Sequence, residues 1–364
     1  MSSDFGKNLR VSIFGQSHSA AIGAVLDGLP SGYRIDLDAL QAFADRRRAV
    51  DVLSTARREG DKIRIVSGLF EDKTCGAPLC AIIENTDVRS ADYDKIRFLP
   101  RPSHADFTSF EKYAFRDHRG GGHFSGRLTA PLCAAGGIAK QILSEFGIYA
   151  GAHVQKIKDI SDTPFDPVAV KRADFSVCET GFPCLDKNAA EKMKAAILSA
   201  KSECDSVGGV VECAVLGLPA GLGEPNFGGV ENVLSANLFG IPAVKGVEFG
   251  NGFDAVSLFG SQNNDEFKVE NGKIVTATNR AGGVNGGITN GMPLIFRVAF
   301  KPTASIFKEQ NSVNLQSGKE ETLLISGRHD PCIAVRAVPV VESVAYLTAL
   351  DLYLGAQKDK LNRG

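Results

Sequence analysis

The chain has 364 residues, 43% of them hydrophobic and 23% charged, with a formal net charge of −1. That length supports a large core, and the near-zero charge argues against a nucleic-acid or membrane-surface binder. Eight cysteines without a CxxC pair exclude a zinc ribbon or a thioredoxin motif and read as reduced thiols. No apolar leader stands at the N-terminus and no stretch approaches 18 apolar residues, so a cytoplasmic protein is expected.

A strand is expected from Leu9 to Phe14 and a second from Ala20 to Leu26. Ser17 and His18 fall on the tight connection between them, where an imidazole titrating near neutrality suits proton transfer. Asp36 reads as the N-cap of a helix with Leu37, Leu40 and Ala44 on one face. That helix ends in Arg46, Arg47 and Arg48, with Arg57 and Arg58 close behind. One such cation would complement the helix dipole; the run suggests a dock for phosphate or carboxylate. Strands follow at residues 62–67 and 79–84. Pro100 and Pro102 then lead to His104, beside Asp106 in a segment rich in arginine.

Asp117 to Thr129 reads Asp-His-Arg-Gly-Gly-Gly-His-Phe-Ser-Gly-Arg-Leu-Thr. Consecutive glycines let a flat or anionic ligand approach the main chain, and Ser125 stands as N-cap to an apolar helix ending near Gly147. A second helix is expected over 188–203. The strand at Gly208–Leu216 resembles the one following Gly286, each a glycine pair leading into a strand stopped by proline, which hints at a duplicated half. Lys301-Pro-Thr-Ala-Ser offers an ammonium and two hydroxyls, suited to a phosphate tail. Asp330, before Pro331, sits on a defined turn beside Arg328, ahead of a closing helix over 341–354. No GxGxxG after a strand, Walker A, HExxH or EF-hand sequence is present.

These motifs together resemble the chorismate synthase family across nearly the whole chain. The matching pieces are Phe14-Gly-Gln-Ser-His18, Asp45-Arg-Arg-Arg48, Arg101-Pro-Ser-His104-Ala-Asp and Arg119-Gly-Gly-Gly122 with Ser125-Gly-Arg127. Ala243-Val-Lys-Gly-Val-Glu, Gly282-Gly-Val-Asn-Gly-Gly-Ile288, Lys301-Pro-Thr303 and Gly327-Arg-His-Asp-Pro-Cys332 with Arg336-Ala-Val-Pro complete the order. The resemblance implies a single catalytic domain over 1–364, an α/β (α+β) fold built as a β-α-β sandwich with internal pseudo-two-fold character, and a homotetramer. It implies 1,4-elimination of phosphate from 5-enolpyruvylshikimate 3-phosphate to chorismate, with reduced FMN required and no net redox. The missing nicotinamide fingerprint leaves two reductants open: NADPH acting at this protein, or a separate flavin reductase.

By the same resemblance His18 protonates or steadies the flavin, His104 is general acid to the departing phosphate, and Asp330 helps take the C6 proton. Ser17, Arg47, Arg48, Arg119 and Arg328 bind substrate. His123, Phe124, Ser125, Pro242, Ala243, Gly286, Lys301, Pro302, Thr303, Ala304, Ser305 and Arg328 contact FMN. A substrate with two carboxylates and a phosphate needs several guanidinium groups in a dry pocket, which agrees with this set. The chain departs from the family pattern at Gln16 (a Glu elsewhere), Ser19, Leu53 (a further arginine elsewhere), Phe124 and Pro242 (an asparagine elsewhere).

Overall fold

The computed structural model describes residues 3–48, 53, 60–86, 96–115, 117–325, 327 and 329–361. In the first half, β1 (Asp4–Phe5), β2 (Arg10–Gly15) and β3 (Ala21–Asp27) precede helix α1 (Leu37–Asp45). Next come β4 (Ile63–Ser67), the small hairpin β5 (Leu69–Phe70) and β6 (Lys73–Thr74), and β7 (Leu79–Glu84). The short helix α2 (Asp106–Tyr113) leads to the glycine loop and α3 (Thr129–Ser144). The second half runs β8 (Tyr149–Ile157), β9 (Ile160–Ser161), α4 (Lys187–Ser202), β10 (Gly209–Leu216), α5 (Val230–Phe239) and β11 (Val244–Phe249). After α6 (Gly260–Asn263) stand the hairpins β12 (Phe267–Glu270) with β13 (Lys273–Thr276) and β14 (Val284–Asn285) with β15 (Ile288–Thr289). Then come β16 (Leu294–Phe300), β17 (Gln310–Val313) with β18 (Glu320–Leu323), and the long helix α7 (Ala334–Leu361).

Two five-stranded antiparallel sheets carry the halves, in the orders β1-β2-β3-β7-β4 and β11-β16-β10-β8-β9. Their inner strands follow one connectivity. In each half a first strand pairs with a second, the second with the fourth and the fourth with the third, and helices follow the second and fourth. β2, β3, β4 and β7 with α1 and α3 therefore match β8, β10, β11 and β16 with α5 and α7. The expected duplication is real, but its partners differ from those the glycine pairs suggested. β10 and β16 are neighbours in one sheet, and their repeat mates are β3 and β7.

The helices lie between the sheets: α3 rests on β3 and β7, α7 rests on β8 and β10, and α3 packs along α7. Gly136 and Gly137 make that approach close. A Cβ on Gly136 would sit 2.3 Å from Cβ of Ser343, and one on Gly137 2.6 Å from Leu40 of α1. A single apolar cluster runs from Leu9 through Ile138 and Phe296 to Leu350, joining both sheets to the helical layer. Asp36 caps α1 as its sequence predicts, accepting from Ala39 N at 2.9 Å.

The closing helix starts earlier than the sequence suggests and passes through Pro339. Proline there removes one helix hydrogen bond and crowds the Val335 carbonyl, and burial of Val338, Val340 and Val341 around it offsets that cost. By length and composition Ala334–Gln357 could cross a membrane, but 83% of the tested window is buried inside the protein. It is the central core helix. The ion pair of Arg46 with Glu342, at 2.6 Å, ties the end of α1 to it, and Glu342 also accepts from Ala152 N of β8 at 3.0 Å.

Candidate active site

One cleft of about 1760 Å³ collects loops from both halves. Ser17 and His18 reach it from the β2–β3 turn, Arg47 and Arg48 from the end of α1, and His104 from the approach to α2. The glycine loop contributes Gly120, Gly121 and His123 to Ser125, the α5–β11 turn Pro242 and Ala243, and the segment after β16 Lys301 to Ser305. Asp330 and Arg336 close it from the start of α7.

Ser17 is buried and locks the β2–β3 turn against the glycine loop: its N–H donates to Gly122 O at 3.0 Å and its hydroxyl to Arg119 O at 3.3 Å. With that proton committed, Oγ accepts from Nδ1 of His18, 3.0 Å away. Gly120, at φ +62°, lies directly behind the imidazole. On the same loop His123 is held by Gly15 O at 2.8 Å and Ser3 Oγ at 2.9 Å. Phe124 presents a half-exposed ring to the cleft. Ser125 caps the short turn that begins α3, accepting from Arg127 N at 3.2 Å.

His104 lies 3.0 Å through Nδ1 from Oδ1 of Asp106. Arg101 grips the same carboxylate from Nε at 2.7 Å and Nη2 at 3.0 Å. Burial opposes the charge on Asp106, but hydrogen bonds from His104 and Arg101 together outweigh it and hold the carboxyl well below its usual range.

The arginine triplet splits by role. Arg46 turns into the core toward Glu342, Arg47 is buried at the cleft wall, and Arg48 stays half-exposed beside Asp45. Residues about 100° apart around a helix end face different surroundings, so adjacent identical side chains do different work. Arg47 donates to Gly126 O at 2.8 Å and shares Asp61 with Arg127. Burial, then repulsion from Arg336, lowers its pKa to about 10 although Asp61 pulls the other way. Arg336 reaches Asp330 at 2.5 Å and Arg47 O at 3.0 Å. Asp61 and Asp330 thus answer three guanidinium groups, and the wall keeps an excess of positive charge.

Across the cleft the pKa of Lys301 is lowered by burial and by Lys245. Its ammonium donates to Ser103 O, and its N–H donates to Ala243 O at 3.0 Å. Ala243 holds φ +73° and Ser103 φ +59°, left-handed conformations that cost energy in residues with a Cβ. Two ammonium groups near one another, beside a buried Thr303 hydroxyl lacking a hydrogen-bond partner among the described residues, fit a phosphate-bearing ligand.

A profile of the family described as Chorismate synthase matches residues 9–354. The chain belongs to the chorismate synthase family. It is 45% identical to the chorismate synthase of Lancefieldella parvula, covering 96% of each chain. It is also 45% identical to that of Methanococcoides burtonii, over 95% of this chain and 94% of the relative. A solved structure titled as the crystal structure of chorismate synthase superposes with a TM-score of 0.74 at 26% identity, covering 97% of this chain and 93% of that one. The β-α-β sandwich expected from the resemblance is the fold observed.

Of the expected site residues, Ser17, His18, Arg47, Arg48, His104, His123, Phe124, Ser125, Pro242, Ala243, Lys301 to Ser305 and Asp330 all line the cleft. Arg119 does not: it folds onto Asp117 at 2.8 and 2.9 Å, two residues away, with its guanidinium toward solvent. Gly286 also lies outside the wall, in the β14–β15 turn, whose Gly287 packs against Gly223 and Gly229. Arg328, Arg57 and Arg58 fall outside the described residues. Leu53, where the family carries a further arginine, is buried in the apolar core. Asp61, Arg101, Lys245 and Arg336 received no role from the sequence, and Asp106 was noted beside His104 without its pairing to Arg101. Arg101, Asp106, Lys245 and Arg336 sat inside quoted motifs; Asp61 carried no signal at all.

Proposed function

We propose that this cleft performs the 1,4-elimination of phosphate from 5-enolpyruvylshikimate 3-phosphate, giving chorismate, with reduced FMN bound. What carries the reading is the meeting of His18, His104 and Asp330, from three distant parts of the chain, around one cation-lined cavity. Arg47, Arg48 and Arg336 answer the carboxylates and phosphate of the substrate. His104 donates a proton to the phosphate as the C3–O bond breaks; Asp330 receives the C6 proton, the C6–H electron pair forms a new C6=C1 double bond, and the former C1=C2 pair moves to C2=C3. The bond changes balance without any net oxidation.

The residues present fit FMN. Lys301 and Lys245 with Thr303 and Ser305 would hold its phosphate. Phe124, the glycine loop and the Pro242–Ala243 turn would flank its ring, and His18 would steady it. Reduced flavin, when bound, supplies electron density that assists departure of the phosphate and is recovered afterwards.

The same reading makes the protein a cytoplasmic homo-oligomer, a homotetramer by family. Exposed apolar side chains support self-association. Phe267 and Val269 of β12 and Ile274 of β13 share one face of their hairpin by register, each more than 70% exposed. The test of the reaction is anaerobic turnover with chemically reduced FMN, followed by the ultraviolet absorbance of chorismate. Turnover that proceeds equally without flavin would overturn the cofactor assignment. Adding NADPH and oxidised FMN alone separates self-reduction from dependence on a flavin reductase.

A further inference from the structure

The proposed reaction uses His104 but leaves unexplained the two charged groups buried behind it. Arg101 and Asp106 are each 4% exposed, an expensive place for charge unless the pair performs a task. The contacts that join the pair to His104 indicate which nitrogen of its ring bears the proton. Nη2 of Arg101 carries two, and two acceptors take them: Gly120 O at 2.7 Å and Asp106 Oδ1 at 3.0 Å. Nη2 also lies 3.2 Å from Nδ1 of His104 and could share a hydrogen with it, but an unprotonated Nδ1 would set its lone pair against the carboxylate oxygen Oδ1 of Asp106, 3.0 Å away. Nδ1 therefore bears the proton and donates it to Asp106 Oδ1 at 3.0 Å.

We propose that Asp106 is a positioning residue that fixes His104 as its Nδ1–H tautomer, while Arg101 anchors the pair to the glycine loop behind His18. The anchor is the bond to Gly120 O, and Gly120 is the residue packed against the His18 ring. Both histidines are thereby referenced to one loop. Nε2 becomes the nitrogen that carries the exchangeable proton. After giving it up, the ring is already in the tautomer that accepts the next one, so no ring reorientation is needed between turnovers.

The kinetic consequence rests on the reading of His104 as acid to the departing phosphate; the tautomer does not. The test uses the full-length protein with ¹⁵N-labelled histidine, the His104 resonances being assigned by their loss in His104→Gln. In the wild type, neutral His104 is expected to carry hydrogen on Nδ1. In Asp106→Asn the amide oxygen takes the Oδ2 place, where Arg101 donates from both N and Nε, and the NH₂ takes the Oδ1 place facing Nδ1, so the hydrogen moves to Nε2. In that variant kcat falls about a hundredfold or more with the substrate KM little changed, and Asp106→Glu recovers part of it. A wild-type spectrum with hydrogen on Nε2 would overturn the proposal, even if Asp106→Asn fails to fold. So would a folded Asp106→Asn with unaltered kcat while His104→Ala is inactive. An unaltered kcat in His104→Ala would instead remove the acid role, leaving the spectrum to decide the positioning.

Discussion

A methyl group on Gly120 would stand 2.6 Å from Cε1 of His18 and 2.8 Å from the Ser17 hydroxyl. The glycine loop and the β2–β3 turn are fitted to each other at this point. Gly120→Ala must displace the imidazole and also hold φ near +62°, which costs about 1–2 kcal/mol by itself. The expected outcome is a folded but less stable protein whose turnover drops at least tenfold. Melting temperature and steady-state rate measured together check it, and a wild-type rate would show that His18 tolerates displacement.

His104→Ala should lower turnover by about a hundredfold or more, the usual scale of a lost general acid. Flavin binding, read by absorbance, should survive, because the groups assigned to FMN phosphate lie on β11 and on the segment after β16.

Lys301 should set the alkaline limit of flavin binding. Burial and Lys245 lower its pKa, so it loses its proton below the ordinary lysine range of 10.5. A bound phosphate favours the charged form, hence affinity falls as pH rises through that lowered value. Lys301→Met should weaken FMN binding and flatten this alkaline limb. Titration of flavin fluorescence across alkaline pH makes the comparison.

His153 offers a stability test away from the cleft. Its fully buried ring bridges Asp162 at 2.9 Å and Glu212 at 3.0 Å. Burial opposes the imidazolium, but both carboxylates outweigh it and raise the pKa, while Asp162 is lowered to about 2. A raised histidine stabilises below its unfolded value of 6.5 and loses that contribution as pH rises through the folded value. The lowered aspartate stabilises above 3.8 and loses its share as pH falls toward about 2. Urea unfolding should show wild-type stability declining from neutral into alkaline pH. His153→Gln should lose about 3–5 kcal/mol at mildly acidic pH and show a shallower decline.

The β12–β13 face gives a test of assembly. Val269→Lys with Ile274→Glu should leave the fold intact and shift the sedimentation profile toward smaller species. An unaltered profile would place the subunit contacts elsewhere.

How far the sequence carried this picture depended on range. Local signals were sufficient for β2, β3 and β7, for Asp36 as the cap of α1 and for Ser125 before α3, since each is decided within a few residues. The closing helix was expected only over 341–354, beyond Pro339, whereas burial of the surrounding valines holds α7 together across that proline. The glycine pairs before β10 and β16 misled for another reason: the strands they precede are sheet neighbours, and the repeat lies in connectivity. In the site, His18, His104 and Asp330 were legible through motifs. The pairing of Asp61 with Arg47 and Arg127 was not, because it joins separate parts of the chain. The clasp of Arg101 on Asp106 was hidden too, since it needs the left-handed turn at Ser103 to bring residues five apart face to face.

The most direct test of the cleft as a lyase site is phosphate release under strict anaerobic conditions. Purified protein would be mixed with 5-enolpyruvylshikimate 3-phosphate and either reduced or oxidised FMN. The expected result is one phosphate per chorismate formed, with reduced flavin only and no net flavin oxidation. Bound reduced FMN with intact substrate and no phosphate released would contradict the account.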